Sequence, residues 1–106
     1  MFVVVVENHV KVGFEQEYIE LVNPVLDAMR HEKTFVNTVL NRDPRDKGRF
    51  MLYETWLDKS EFLEVQMARE YRRAYEARLP SILKSPRVME YWEPLREDFT
   101  FFRTPE

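Results

Sequence analysis

The sequence predicts an α+β fold of the ferredoxin-like type, in the order β-α-β-β-α-β, with a four-stranded antiparallel sheet and helices on one face. Three observations predict it. Phe2 to Val12 is dense in β-branched residues that alternate with period two. Phe14 to Arg30 repeats its apolar residues every three or four positions. Arg49 to Phe62 runs as an alternating strand that stops at Asp58 and turns straight into a helix.

In chain order, the first strand places Phe2, Val4, Val6, Asn8, Val10 and Val12 on one face, while Glu7, His9 and Lys11 fall on the other. Gly13 turns the chain. The first helix carries Phe14, Tyr18, Leu21, Val22, Val25, Leu26 and Met29 as its stripe, and Pro24 is expected to kink it or divide it near Asn23. Thr34 to Arg42 reads as the second strand and Asp43 to Gly48 as a polar turn. Arg49 to Leu57 is the third strand, with Phe50, Leu52, Glu54 and Trp56 on one face and Met51, Tyr53, Thr55 and Leu57 on the other. Asp58 and Glu61 have capping-box spacing for a helix over 59–67, with Phe62, Val65 and Gln66 inward. Helical spacing continues over 69–79, burying Tyr71, Ala74, Tyr75 and Leu79, with a break at Pro80. Arg87 to Glu93 is the fourth strand. The tail over 98–106 holds Phe99, Phe101 and Phe102, too aromatic to lie in water and expected to pack on its own domain or a partner.

Composition narrows the function classes. At 106 residues the chain is read as one domain, 1–106, and 44% hydrophobic residues suffice for a core. The absence of cysteine excludes disulfides, thiolate catalysis and Cys-ligated metal, and two histidines, His9 and His31, argue against a histidine metal site. A net charge of −3 with no basic block beyond Arg72-Arg73 argues against nucleic acid. The longest apolar run, Phe2 to Val6, is too short for a membrane span, and no leader pattern precedes it, so a cytoplasmic location is expected. The helix-free sheet face is partly apolar and needs a cover, for which sheet-to-sheet homodimerisation is the simplest.

Three segments carry a family likeness: Phe2-Val-Val-Val-Val-Glu-Asn-His-Val-Lys-Val-Gly13, Leu40-Asn-Arg-Asp-Pro-Arg-Asp-Lys-Gly-Arg-Phe50 and Tyr53-Glu-Thr-Trp-Leu-Asp58. With Glu70 to Leu83, they resemble the antibiotic biosynthesis monooxygenase domain across nearly the whole chain. The resemblance implies a dimeric α/β barrel. It also implies oxidation of a quinol or polyphenol by O₂ with no metal or organic cofactor. Other branches of the family isomerise phosphorylated autoinducer-2 or degrade haem. Where many members carry a His pair after the Trp, this chain has Val65 and Glu70, and the position matching the haem branch's axial His is Tyr75. Thr34 and Thr38 stand where the family often has Gly and Tyr.

The candidate site residues are Asn8, Trp56 and Tyr75 for chemistry, with Gln66, Tyr71, Phe62 and Val65 around the substrate. A buried amide must be hydrogen-bonded. Asn8 is therefore expected to meet backbone or buried water or, as the resemblance implies, a substrate carbonyl or O₂. Trp56 at the strand exit reads as a pocket wall whose indole N–H could orient a ligand oxygen. Tyr71 and Tyr75, four apart, read either as core or as donors to a phenolate. Tyr53 and His9 belong to the dimer face, and Arg69, Arg72 and Arg73 read as a solvated helix face, with recognition of an anionic ligand as the alternative. Two alternatives stay open: a small-molecule binding or interaction protein without chemistry, and an isomerase like the autoinducer-2 branch.

Overall fold

A computed structural model describes residues 1–100. Its elements are β1 (Phe2–His9), α1 (Glu15–Met29), β2 (Phe35–Asp43), β3 (Asp46–Trp56), α2 (Lys59–Glu64), α3 (Arg73–Ile82) and β4 (Val88–Trp92). Two 3₁₀ turns, Gln66–Ala68 and Glu70–Arg72, join α2 to α3. The strands form one antiparallel sheet in the order β2-β3-β1-β4, the ferredoxin-like arrangement that the element order predicts.

Register follows from burial. β1 pairs Phe2 with Trp56, Val4 with Glu54, Val6 with Leu52 and Asn8 with Phe50. All eight of these side chains are buried on the helix-facing side, because a slip of one residue would turn the whole apolar set outward. α1 lays Tyr18, Val22, Val25 and Met29 on that face, and the Tyr18 and Phe50 rings meet at 4.5 Å. Asp58 caps α2 by accepting the Glu61 N–H at 2.8 Å, as the spacing predicts. No helix among the described residues is long and apolar enough to cross a membrane.

Several sequence expectations need correction. Pro24 neither divides nor ends α1, which runs through it, and Pro80 likewise lies inside α3. Each proline removes the hydrogen bond to the carbonyl four residues earlier. Pro24 and Glu20 are both exposed, so water can serve that carbonyl. β1 ends at His9 rather than Val12: Val10 makes only an isolated bridge to Leu83, and Val12 is fully outward. The six-residue turn before β3 is a tight one over Pro44-Arg45, with β3 already begun at Asp46. The single helical phase read over 59–79 is interrupted by the 3₁₀ turns. Ala74 therefore faces solvent, not the core, and Val65, which ends α2 ahead of the turns, is exposed as well. Phe99 is 58% exposed, and Phe101 and Phe102 lie outside the described residues.

Gly48 joins β3 to the end of β1. Its carbonyl accepts the Val10 N–H at 2.7 Å, and a Cβ added there would stand 2.6 Å from the Val10 carbonyl oxygen. Backbone is on both sides of that contact, so neither can yield cheaply. Gly48→Ala should lower unfolding free energy by about 2 kcal/mol or more in urea titrations. An unchanged midpoint would mean that the strands part there without cost.

Candidate functional site

The helix-facing side of β1 and β3 carries two polar groups among its apolar ones, Asn8 and Glu54, and each has drawn a polar cluster around itself. At one end, Asn8 is 1% exposed. Its Nδ2 donates to the Tyr18 hydroxyl at 2.9 Å and to the Tyr75 hydroxyl at 3.3 Å, and the two hydroxyls lie 3.4 Å apart. α1 supplies Tyr18 and α3 supplies Tyr75, so this triad ties both long helices to the sheet. The Asn8 Oδ1 is buried with no partner among the described residues. Burial raises the pKa of both tyrosines, so both hydroxyls stay protonated donors at neutral pH.

At the other end, Glu54 is 4% exposed and Trp56 fully buried. The indole N–H of Trp56 donates to Glu54 Oε1 at 3.0 Å. Burial pushes the Glu54 carboxyl above its usual range. The Trp56 hydrogen bond and the positive charges of Arg72 and Arg87 offset this only in part. Phe62 packs on Trp56 with ring centroids 5.1 Å apart, and Phe35 meets Trp56 edge-on at 5.3 Å. Arg72 is 5% exposed, its guanidinium 5.8 Å from the centroids of both the Phe62 and Tyr71 rings. Gln66 donates to Glu61 at 2.7 Å, and the other Glu61 oxygen accepts from Thr34. This bracket fixes the turn after α2 to the start of β2.

Asn8 and Trp56 are not brought together. Their positions differ by six residues along the β1–β3 ladder, which is about 20 Å at ordinary strand rise. Tyr75 belongs to the Asn8 cluster and Tyr71 to the Arg72 neighbourhood, so the pair does not share one cavity wall. The Trp56 N–H is committed to Glu54, not offered to a ligand. Gln66 and Phe62 face inward as expected, while Val65 is 41% exposed and lines nothing interior. Surface clefts open beside the clusters. One of 410 Å³ lies between α3 and the loop before β4, with Glu76, Pro80, Leu83, Lys84 and Arg87 on its walls. Another of 450 Å³ follows the 3₁₀ turns into α3 and reaches Arg72.

Three residues of the clusters were missed by sequence reasoning. Glu54 stood on the apolar face between Leu52 and Trp56, the same signal that singled out Asn8. Tyr18 sat in the α1 stripe with a hydroxyl that needed a partner. Arg72, expected in solvent, is turned inward because a 3₁₀ turn advances each residue further around the axis than an α-helix does.

The antibiotic biosynthesis monooxygenase domain model matches residues 1–77. A Pestalotiopsis microspora protein described as a candidate monooxygenase, GME11364, is 31% identical over 77 residues, which are 72% of this chain. The match spans 64% of that relative's length. A candidate antibiotic biosynthesis monooxygenase from Nitrosomonas europaea has a similar fold, with TM-score 0.84 and 17% identity over 91% of this chain and 100% of that one. SnoaB, a cofactor-independent oxygenase from Streptomyces nogalater, gives TM-score 0.77 and 14% identity over 91% and 94%.

The raised Glu54 pKa has a thermodynamic consequence. The folded chain holds this proton more tightly than the unfolded one, whose carboxyl titrates near 4.5. Its contribution to stability is therefore complete below about pH 4.5 and is lost as pH rises through the folded pKa. Glu54→Gln keeps the acceptor for Trp56 and removes the titration. Its melting temperature should exceed that of the wild type increasingly from pH 5 to pH 8, as read by circular dichroism. A constant difference across that range would contradict the shift.

Proposed function

The chain belongs to the antibiotic biosynthesis monooxygenase family, and from that premise we propose that it oxidises a quinol or polyphenol-type small molecule with O₂ and without a metal or organic cofactor. The observation that carries the reading is the buried carboxyl of Glu54 beside Trp56. Such oxidation begins with loss of a phenolic proton, after which the electron-rich anion reduces O₂ directly. The chain has no His on the helix after Trp56, so the proton needs another acceptor. Glu54 is the group suited to that role, since a carboxyl raised above its usual range is the better base when it ionises. Arg72 and Arg87 supply positive charge nearby, and Trp56 and Phe62 supply dry aromatic walls. In this reading Asn8 and Tyr75 hold α1 and α3 against the sheet, with the Asn8 Oδ1 left for a donor group or water. Gln66 braces the turn that carries Tyr71 and Arg72.

A homodimer through the helix-free face completes the proposal. On that face Val39, Tyr53 and Trp92 are 51%, 40% and 57% exposed, and a 290 Å³ cleft opens among Val3, Val5, Tyr53 and Trp92. Side chains of this kind on one sheet face favour a covering partner. A binding role without turnover is the second reading, favoured by the close packing around Asn8 and Trp56, which leaves no solvent at either side chain.

Oxygen-electrode assays on hydroquinones and anthrones separate the two. The oxygenase reading expects uptake that climbs with pH on a limb above pH 4.5, a loss of about 100-fold or more in Glu54→Gln, and a smaller loss in Asn8→Ala. Ligand binding with no uptake across the panel would leave the binding reading. Sedimentation at micromolar concentration should give a dimer, and Tyr53→Lys combined with Val39→Lys should give a monomer. A monomeric wild type would refute the sheet-face pairing.

A further inference from the structure

β2 changes phase near its start. Phe35 pairs with Trp56 and Asn37 with Thr55, so β2 uses two residues where β3 uses one, a bulge at Val36. Without the bulge, period-two alternation from Phe35 would turn Asn37 and Val39 toward the helices and Thr38 away from them. With it, Phe35 meets Trp56 edge-on on the helix side, while Val39 is left exposed on the other face, opposite Tyr53. Thr38 comes round to the helix side, directly across the ladder from Glu54. Bulges beside functional sites commonly re-aim one side chain in this way.

The Thr38 hydroxyl is buried there with no hydrogen-bond partner among the described residues. Valine has nearly the same shape and would leave no polar atom unpaired, so packing alone gives no reason for the hydroxyl. Glu54 has a matching need. Its Oε1 accepts from the Trp56 indole at 3.0 Å, and its Oε2 has no hydrogen bond among the described residues. Side chains directly opposite on antiparallel strands have Cβ atoms about 4.5–5.5 Å apart, so one rotamer change brings a hydroxyl to a carboxylate oxygen. The other charged and titratable groups that face Glu54 act on it through space: Arg72 from the second 3₁₀ turn, Arg87 from the residue before β4, and the Tyr18 hydroxyl from α1. On the β1 side its ladder partner is Val4, which has no side-chain donor.

We propose that Thr38 is a positioning residue for Glu54: when the carboxyl ionises, the Thr38 hydroxyl turns to donate to Oε2, so that Trp56 and Thr38 together fix the carboxylate in one orientation. The neutral carboxyl gains little from this donor, whereas a hydrogen bond to the ionised form is charge-assisted and stronger. The bulge at Val36 is what aims the hydroxyl. The inference rests on the oxygenase reading for the use of Glu54 as a base, but not for the contact itself. Thr38 touches no substrate; it sets how readily Glu54 ionises. A donor that serves the ionised form eases ionisation, so its removal moves ionisation to higher pH.

The test is an infrared titration of the Glu54 carbonyl band in wild type, Thr38→Val and Thr38→Ser, each taken as the difference from the same chain carrying Glu54→Gln. The midpoint should rise by about one pH unit or more in Thr38→Val, the effect of one charge-assisted hydrogen bond. Thr38→Ser, which keeps the hydroxyl, should titrate near the wild type. At about pH 4, where Glu54 is neutral, Thr38→Val should melt no lower than the wild type, and it should fall behind as pH rises. An unmoved midpoint in Thr38→Val, an equal shift in Thr38→Ser, or a Thr38→Val chain that fails to fold at that acid pH would overturn the proposal. A raised midpoint in a protein that takes up no O₂ would leave this contact standing and remove the oxygenase reading. O₂ uptake with an unmoved midpoint would do the reverse.

Discussion

The β1–β3 ladder pairs Phe2 with Trp56 and Asn8 with Phe50, and this register sets what every side chain near the site can touch. With period-two alternation, one choice of register sends Val4, Val6, Phe50 and Leu52 into the core together with Asn8 and Glu54. The two polar groups cannot be moved to water without exposing the apolar ones. They must find partners within the core: Tyr18 and Tyr75 from the two long helices for Asn8, and the Trp56 indole, with the charges of Arg72 and Arg87 nearby, for Glu54. The packing of α1 and α3 on the sheet is therefore polar as well as apolar at fixed points.

The two clusters are unequal in what they leave unsatisfied. Around Asn8, the amide nitrogen and two hydroxyls hydrogen-bond one another and only one oxygen lacks a partner, a deficit of about 1–3 kcal/mol. Around Glu54, a carboxyl meets one neutral donor, and two nitrogens of the Arg72 guanidinium are buried with no partner within hydrogen-bond geometry among the described residues. That end holds more unsatisfied polarity, a mark of sites where chemistry or recognition occurs. The sequence centre of gravity, on Asn8 and Trp56 as one pocket, thus gives way to two regions about 20 Å apart along the strands, and the proposed chemistry is placed at Glu54.

The sheet was legible because its signals are local: β-branched alternation in β1, the Asp58 cap, and the apolar face of β3. The 59–82 region was less so. Its residues have helical spacing, but the backbone tightens twice into 3₁₀ turns, and each tightening rotates the residues that follow. Arg72 goes inward and Ala74 outward for that reason, and nothing in the residue types announces it. The prolines misled in the opposite direction. Pro80 read as a break and Pro24 as a kink or a division, yet their exposed positions let both helices continue. Glu54 was visible in the strand pattern as an acid on an apolar face, the same kind of signal that marked Asn8.

The claim on which the rest depends is that burial holds the Glu54 carboxyl against ionisation, so that its carboxylate, once formed, is a stronger base than an ordinary one. Infrared difference spectra between wild type and Glu54→Gln, recorded across a pH titration, isolate its carbonyl stretch. The account predicts a protonated-carboxyl band that persists well above the ordinary value of 4.5 and disappears in the variant. A band that vanishes at the ordinary value would contradict it.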